Sequence, residues 1–284
     1  MYEKTGNIVK LAKERNTSAI AFICMDYVMA RSVVYAAEAA KTPAIVMLYP
    51  EHVTIQHTTG FRKYAAMVKE LAEEVSVPIG LHCDHDYTYD AIIHTIECGF
   101  DSVMMDGSMN DLDTNIALTK QVVDRAHEMG AFVEGEIGHV GLAAAADQNN
   151  QDLFTKPEAA KKFCEETGVD SLAVSIGNAH GEYKETPHLD IARLEGIHSA
   201  TDVPLVLHGG SGIPDDQLLV AFSKGINKFN LGTEFLNRYY KALTEFTTEY
   251  ANDPDPVKVI NMPEFVQARL QPYVENRLST LCRF

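Results

Sequence analysis

The feature that most constrains the fold is an alternation of short apolar segments with amphipathic ones, repeated eight times between residues 18 and 253. Each unit begins with a run typical of a buried strand, such as AIAFICM, PIGLHCDH or INKFNLGT, and continues into a segment with helical periodicity. The helical segments often end at glycine or before proline, as helices commonly do. Eight such units in succession predict a (β/α)8 TIM barrel.

The strand sequences favour this barrel over sandwiched sheets. Their apolar residues form near-continuous runs, which are typical of a parallel sheet buried on both faces. A doubly wound open sheet shares the alternation, but it usually has a GxGxxG turn after its first strand, and this sequence has none there. We therefore predict a single domain, with a barrel over 18–253, a preceding helix at about 3–15 and a further helix at about 262–280.

The composition limits the classes of molecule that the protein is expected to bind. A formal net charge of −16 argues against binding to nucleic acid or to an anionic membrane surface. The five cysteines have no CxxC spacing and lie mostly among apolar residues, which indicates reduced thiols and no disulfide framework. The N-terminal segment lacks the apolar run of a signal peptide, and no stretch approaches eighteen consecutive apolar residues. We predict a cytoplasmic protein that acts on a small molecule.

Polar residues cluster where the predicted strands end, and in this fold the active site is built at the carboxyl ends of the strands. Strands three to eight end, in turn, in Asp84 and His85, Asp106, Glu134 and Glu136, Asn178 and His180, His208, and Asn230 and Thr233. These groups are distant in sequence but would meet at one barrel mouth. Five further histidines are predicted to face solvent on helices or loops: His57, His94, His127, His188 and His198.

Three of the strand-end histidines, His85, His180 and His208, form a candidate zinc site. Neutral imidazoles are good zinc ligands, and a catalytic zinc keeps one coordination position free for substrate. A single histidine at a barrel rim is more commonly a hydrogen-bonded polar residue, but three at separate strand ends favour a metal. Asp84, next to His85, is then a candidate general acid or base. Its alternative role is to orient a metal-binding histidine.

The segment HGGSGIP, residues 208–214, places three glycines and Ser211 between a strand and a helix. Backbone N–H groups in such a turn can approach an anion closely. Phosphate commonly binds after strands seven and eight of this fold, and NLGT at 230–233 adds a second polar turn there. A metal beside a phosphate pocket and a carboxylate indicates Lewis-acid chemistry on a phosphorylated carbonyl compound.

Six ordered segments carry a family resemblance: LHCDHDYTYDAI, GFDSVMMDGS, FVEGEIGHVG, SLAVSIGNAHGEYK, LVLHGGSGIP and KFNLGTE. Over nearly its whole length the sequence resembles the class II, zinc-dependent ketose-bisphosphate aldolases of the fructose- and tagatose-bisphosphate type. The resemblance implies a (β/α)8 barrel that is a homodimer or homotetramer. It also implies reversible cleavage of a ketose 1-phosphate into dihydroxyacetone phosphate and an aldehyde.

The resemblance further implies roles for individual residues. His85, His180 and His208 would hold one catalytic zinc per subunit, and Asp84 would transfer the proton of the C4 hydroxyl. Asp106 and Glu136 would lie beside the metal as alternative or supporting ligands. A monovalent cation, Na⁺ or K⁺, would lie near the phosphate loop. The residues implied around the phosphate and carbonyl end of dihydroxyacetone phosphate are Gly181, Lys184, Gly209, Ser211, Asn230 and Thr233.

Departures from the family pattern concern the rest of the substrate. Ile23 stands where the family commonly has Asn, and Tyr49 stands where it has Ser. The loop after strand five, GLAAAADQNNQD, lacks the usual acidic residues, and Asp147 is the nearest carboxylate. Either Asp147 replaces the missing acid, or another group or water does so, or the enzyme is impaired. Arg269 loosely matches an arginine that reaches a distal phosphate, with Tyr49 as another distal contact.

These departures predict an aldehyde other than glyceraldehyde 3-phosphate. The candidates are a phosphorylated, a sulfonated or a deoxy aldehyde. The sulfonated case corresponds to an alternative function, cleavage of 6-deoxy-6-sulfofructose 1-phosphate to 3-sulfolactaldehyde. A second alternative is a barrel that binds a sugar phosphate without cleaving it. A metal-dependent hydrolase is a third, but the HxH pair that many such barrels carry on their first strand is missing.

Overall fold

The computed structural model describes residues 1–52, 60–251, 253 and 255–284. Eight parallel strands close into a barrel in the order β1 to β8, and β1 pairs with β8 to complete it. The predicted TIM barrel is therefore confirmed. The strands are β1 Ala19–Ile23, β2 Ala44–Leu48, β3 Ile79–Asp86, β4 Ser102–Met105, β5 Phe132–Ile137, β6 Ser171–Val174, β7 Leu205–Leu207 and β8 Ile226–Leu231.

Helices alternate with these strands on the outside of the barrel. Several begin where an aspartate accepts a hydrogen bond from a backbone N–H of the first turn, as Asp26, Asp111 and Asp190 do. In the described residues the α-helices are α1 Thr5–Glu14, α2 Tyr27–Ala40, α3 Phe61–Ala72, α4 Tyr89–Glu97, α5 Leu112–Glu128, α6 Pro157–Thr167, α7 Ile191–Ala200, α8 Asp215–Ser223, α9 Thr233–Tyr250 and α10 Met262–Leu281.

The floor of the barrel is apolar. Helix α1 lies across its amino-terminal end, where Ile8 and Val9 pack with interior side chains that include Ile45 and Met47. A second interior cluster consists of Met104, Ala173 and Val206. Because these side chains close one end of the barrel, the polar residues of the strands are left at the other end.

The outer layer is completed by α10, which packs mainly on α2 and α9. Its buried face includes Leu270, Val274 and Leu278. All five cysteines are buried and free, in agreement with the predicted reduced thiols. No helix within the described residues is both long and apolar enough to cross a membrane.

Candidate active site

Strand β3 delivers two consecutive residues, Asp84 and His85, into the barrel mouth. In a regular strand, neighbouring side chains point to opposite faces. Here the pairing of β3 with β4 shifts register between Cys83 and Asp86, and His85 has a φ of 22°, in the left-handed region. An irregularity of this kind re-aims a side chain. It allows His85 to join Asp84 on the interior face.

The imidazoles of His85, His180 and His208 converge at this mouth. One ring nitrogen from each lies within 4.8 Å of the others. The ring centroids of His85 and His208 are 4.7 Å apart, those of His85 and His180 are 5.0 Å apart, and those of His180 and His208 are 5.8 Å apart. The three strand-end histidines predicted from sequence are thus brought together.

The hydrogen bonds of each ring indicate which nitrogen is left for a metal. His85 uses Nδ1 for Asp106 Oδ2 at 2.9 Å, His180 uses Nδ1 for the Val140 carbonyl at 3.0 Å, and His208 uses Nε2 for Glu134 Oε1 at 2.8 Å. The other nitrogens, His85 Nε2, His180 Nε2 and His208 Nδ1, face one another, and His85 Nε2 and His208 Nδ1 share a 2.9 Å hydrogen bond that a bound metal would replace. Three oriented imidazoles with outer hydrogen-bond partners match an open catalytic zinc site.

The carboxylates around His85 favour the protonated, positively charged form of its imidazole. Burial by itself lowers the pKa of His85, but the Asp84 carboxylate and the hydrogen bond with Asp106 raise it to about 10. Burial also opposes ionisation of Asp106, yet its bond to His85 holds its pKa below the usual value. In contrast, burial and the neighbouring His85 lower the pKa of His180 to about 3, so this imidazole is neutral and can bind a metal.

Glu136 is a further carboxylate that lies beside the histidines. One of its oxygens accepts a hydrogen bond from the Val140 N–H at 3.2 Å. The other oxygen, Oε2, is buried without a hydrogen-bond partner among the described residues and lies 3.8 Å from His208 Nδ1. Burial and the nearby Asp106 carboxylate raise the pKa of Glu136 to about 8. A buried oxygen without a partner also fits a cation at this place.

Beneath the histidines lies a buried ion pair whose role was not predicted from sequence. Lys228 Nζ lies 3.0 Å from Glu134 Oε2 and donates to Asn230 Oδ1 at 2.8 Å. Asn230 in turn donates to Asp84 Oδ1 at 3.0 Å. A lysine inside the apolar strand INKFNL was the only sequence signal for this network, because its partner is 94 residues away. The network therefore links Glu134, which is hydrogen-bonded to His208, to Asp84, the candidate acid or base.

A glycine-rich cavity of about 210 Å³ opens beside Asp84 and His180, and we call it the phosphate pocket. Five of the six predicted phosphate residues line it: Gly181, Gly209, Ser211, Asn230 and Thr233. The Gly209 φ of 61° and the carbonyl of Ala179 against its Cα leave no room for a side chain there. The sixth residue, Lys184, lies outside this pocket and donates to the Ala144 carbonyl at 3.0 Å.

A second cavity of about 600 Å³, the mouth cavity, lies on the other side of the histidines. Its floor contains Asp84, His85, Asp106 and His180. Its walls are largely apolar or aromatic and include Ile23, Tyr49, Tyr87, Met109, Val140 and Leu142. Ile23 and Tyr49, two of the departures from the family pattern, line both cavities. These two residues therefore lie where the cavities meet.

Besides Lys184, two further predicted residues are not brought to the site. Asp147 Oδ2 accepts a hydrogen bond from the Leu142 N–H at 2.8 Å, and the residue lines neither cavity. Arg269 lies on α10, where it pairs with Glu245 at 2.7 Å and stacks over the Phe265 ring. Four of the five histidines predicted to face solvent are exposed: His94, His127, His188 and His198. The fifth, His57, lies outside the described residues.

The fold and this histidine cluster are typical of a barrel enzyme that binds a metal, and solved structures of aldolases are similar in fold. The YdjI aldolase of Escherichia coli K12 is similar with a TM-score of 0.84 and 30% identity, covering 99% of this chain and 97% of that one. A putative fructose-1,6-bisphosphate aldolase from Coccidioides immitis is similar in fold, with a TM-score of 0.84 and 24% identity over 98% of this chain and 96% of that one.

The particular family follows from the sequence comparisons. A family model described as fructose-bisphosphate aldolase class-II matches residues 3–281. A fructose-bisphosphate aldolase of Geobacillus stearothermophilus is 36% identical over 232 residues, which is 81% of this chain and 80% of that protein. The chain belongs to the class II fructose-bisphosphate aldolase family, whose members are aldehyde-lyases. Membership implies a divalent metal, zinc, and a sugar-phosphate substrate.

Proposed function

We propose that the protein reversibly cleaves a ketose 1-phosphate into dihydroxyacetone phosphate and an aldehyde. One observation carries the proposal: a ring nitrogen from each of three histidines converges within 4.8 Å beside Asp84 and the phosphate pocket. His85, His180 and His208 would hold zinc. Asp106 would orient His85, and Glu136 would be an alternative or supporting metal ligand.

The chemistry that zinc supplies when bound is polarisation of the substrate carbonyl at C2. Asp84 lies within 3.9 Å of His85 Nε2, so its carboxylate would face a sugar hydroxyl near the metal. In the cleavage direction Asp84 takes the proton of the C4 hydroxyl while the C3–C4 bond breaks. The aldehyde forms at C4, and C3 receives a proton to complete dihydroxyacetone phosphate.

Asp84 is suited to act as the base. Burial alone raises its pKa, but the neighbouring His85, His208 and Lys228 lower it below its ordinary value. The carboxylate is therefore ionised at neutral pH and ready to accept a proton. Its hydrogen bond from Asn230 fixes the orientation of the group.

The phosphate pocket would bind the C1 phosphate. Its lining is rich in glycine, and it lies at the start of α9, where backbone N–H groups and the helix dipole favour an anion. The Ser211 Oγ accepts a hydrogen bond from the Glu234 N–H at 2.9 Å. Lys184 would reach the phosphate only by leaving its contact with Ala144.

The test is release of dihydroxyacetone phosphate from a panel of ketose 1-phosphates, with and without a zinc chelator. The panel contains fructose and tagatose 1,6-bisphosphates, 6-deoxy-6-sulfofructose 1-phosphate and 6-deoxy ketose 1-phosphates. Release that stops with the chelator and returns with zinc supports the proposal. Zinc-loaded, folded protein that releases nothing from any substrate rejects it.

A second candidate function is binding of a sugar phosphate without cleavage. It is favoured by one observation, the engagement of the Asp147 carboxylate with the Leu142 N–H rather than with the site. In that case a ketose 1-phosphate would bind the zinc-loaded protein in calorimetry, and no dihydroxyacetone phosphate would be released.

A further inference from the structure

The walls of the mouth cavity contain several large apolar side chains that are exposed to solvent. Met109 is 76% exposed, Leu142 is 59% exposed and Tyr87 is 53% exposed. Exposed apolar side chains gathered around a reactive site commonly mark a surface that a ligand covers. Tyr49 also lines this cavity.

The same cavity offers little to hold an anion. None of its lining residues is lysine or arginine, and its floor carries the carboxylates of Asp84 and Asp106. His139 supplies the remaining imidazole, with Nδ1 at 3.4 Å from Ser108 Oγ. A terminal phosphate in this cavity would therefore face carboxylates and imidazoles, with no lysine or arginine among the lining residues.

Two backbone donors of the mouth cavity are also engaged. Along the wall segment 140–142, the Val140 N–H donates to Glu136 and the Leu142 N–H donates to Asp147. The phosphate pocket differs, because it combines four glycines, Gly181, Gly209, Gly210 and Gly232, with the start of α9. The two cavities thus suit opposite ends of one substrate, an anionic end and an uncharged end.

We propose, on the basis of the cleavage reaction proposed above, that the aldehyde bound in the mouth cavity has an uncharged, apolar far end. A deoxy aldehyde such as lactaldehyde has an end of this kind. Its hydroxyl and carbonyl oxygens would lie toward the histidines and Asp84, and its methyl group would contact Leu142 and Met109. In the synthetic direction, C3 of dihydroxyacetone phosphate loses a proton and bonds to the aldehyde carbon, and the aldehyde oxygen gains a proton.

The experiment measures zinc-loaded enzyme with dihydroxyacetone phosphate and four aldehydes: lactaldehyde, glyceraldehyde, glyceraldehyde 3-phosphate and 3-sulfolactaldehyde. We expect kcat/KM for lactaldehyde to exceed that for either anionic aldehyde by at least about tenfold, as for an anion left without its counter-charge. A preference for glyceraldehyde 3-phosphate or 3-sulfolactaldehyde overturns the inference but leaves the proposed aldolase standing. No product from any aldehyde overturns both.

Charge insertion provides a second, matched test. Leu142→Arg and Met109→Arg place a cation at the cavity rim without removing a buried side chain, so the fold should tolerate them. We expect each to raise the ratio of kcat/KM for glyceraldehyde 3-phosphate to that for lactaldehyde by about fivefold, the effect of one partly exposed ion pair. Val220→Arg, at a 43% exposed position on α8, is the control. An equal shift in the control, or an unchanged ratio in both rim variants, overturns the inference.

Discussion

Glu134 holds His208 by a 2.8 Å hydrogen bond between Oε1 and Nε2, fully buried beneath the barrel mouth. This contact fixes the ring so that Nδ1 is presented to the other histidines. The same carboxylate is paired with Lys228, so its charge is balanced inside the barrel. The proposed zinc site therefore depends on a group that does not itself face the metal.

The Glu134→Gln variant is expected to bind zinc about 10–100-fold more weakly, the usual cost of losing such a supporting hydrogen bond. The amide cannot balance Lys228 or enforce the same ring tautomer. Competition with a chromophoric chelator measures the zinc affinity. Ser171→Ala is the matched control, because Ser171 donates to the same carboxylate at 3.2 Å but does not contact His208. Equal affinities for Glu134→Gln and wild type would contradict the role.

The Lys228→Met variant is expected to lose about 3–5 kcal/mol of unfolding free energy, because it leaves a buried carboxylate without its partner. Burial opposes ionisation of Glu134, and Lys228 is the main group that lowers its pKa. Urea denaturation of the zinc-free protein measures the loss. Combining Lys228→Met with Glu134→Gln should recover part of it, and a strictly additive double variant would show that the two residues do not interact.

The Asp84→Asn variant is expected to lose about 10²–10⁴-fold in dihydroxyacetone phosphate release while keeping its zinc. The amide oxygen can still accept the hydrogen bond from Asn230, so the geometry is retained while the base is removed. Metal analysis and a coupled assay separate the two effects. His180→Ala should lose both zinc and activity. Loss of zinc from Asp84→Asn would instead assign Asp84 to orienting a ligand.

Asp147 is expected to support its loop rather than transfer a proton. Its carboxylate caps the Leu142 N–H, and an asparagine side chain can accept the same hydrogen bond. Asp147→Asn should therefore retain activity within about fivefold, whereas Asp147→Ala should lose more because the wall of the mouth cavity loosens. If Asp147→Asn falls by the factor of about 10² or more that marks general acid–base catalysis, the carboxylate itself is catalytic.

The buried thiols provide a test of the fold that depends on pH. Burial raises the pKa of the Cys164 thiol to about 11 and that of the Cys282 thiol to about 12, and it raises those of Cys24 and Cys83 well above their usual value. Well below pH 9 these groups are protonated in both folded and unfolded states. As the pH rises above 9, only the unfolded thiols ionise, so stability falls through the window from about 9 to 12.

We therefore expect the urea midpoint to decrease between pH 8 and pH 10.5. A thiol reagent at pH 8 should label the native protein slowly at all five cysteines and the denatured protein rapidly. Fast labelling of several thiols in the native protein would show that the barrel exterior opens far more than its packing indicates.

The sequence was most informative about groups at strand ends, because the barrel brings every such end to one rim. His85, His180 and His208 meet for this reason, although they come from three strands. The alternation rule could not show that Asp84 and His85 share a face, since the register shift in β3 depends on its pairing with β4.

The sequence could not predict contacts between residues that are distant in the chain, or the orientation of side chains in loops. Lys228 and Glu134 lie on separate strands, and nothing in either strand alone specifies their contact. Asp147 was near the site in sequence, but the short turn after Gly141 directs its carboxylate to a backbone N–H. Arg269 illustrates the same limit, because its partner Glu245 is on the packed neighbouring helix α9.

The left-handed backbone of His85 has a consequence for evolution and engineering. Such a conformation costs a residue with a side chain about 1–3 kcal/mol, and glycine adopts it with little strain. Glycine at position 85 would relieve that strain, but it would also leave the buried Asp106 carboxylate without its hydrogen bond to His85. Position 85 therefore makes two opposed contributions to stability, and the imidazole that the proposed metal site needs is retained by the second of them.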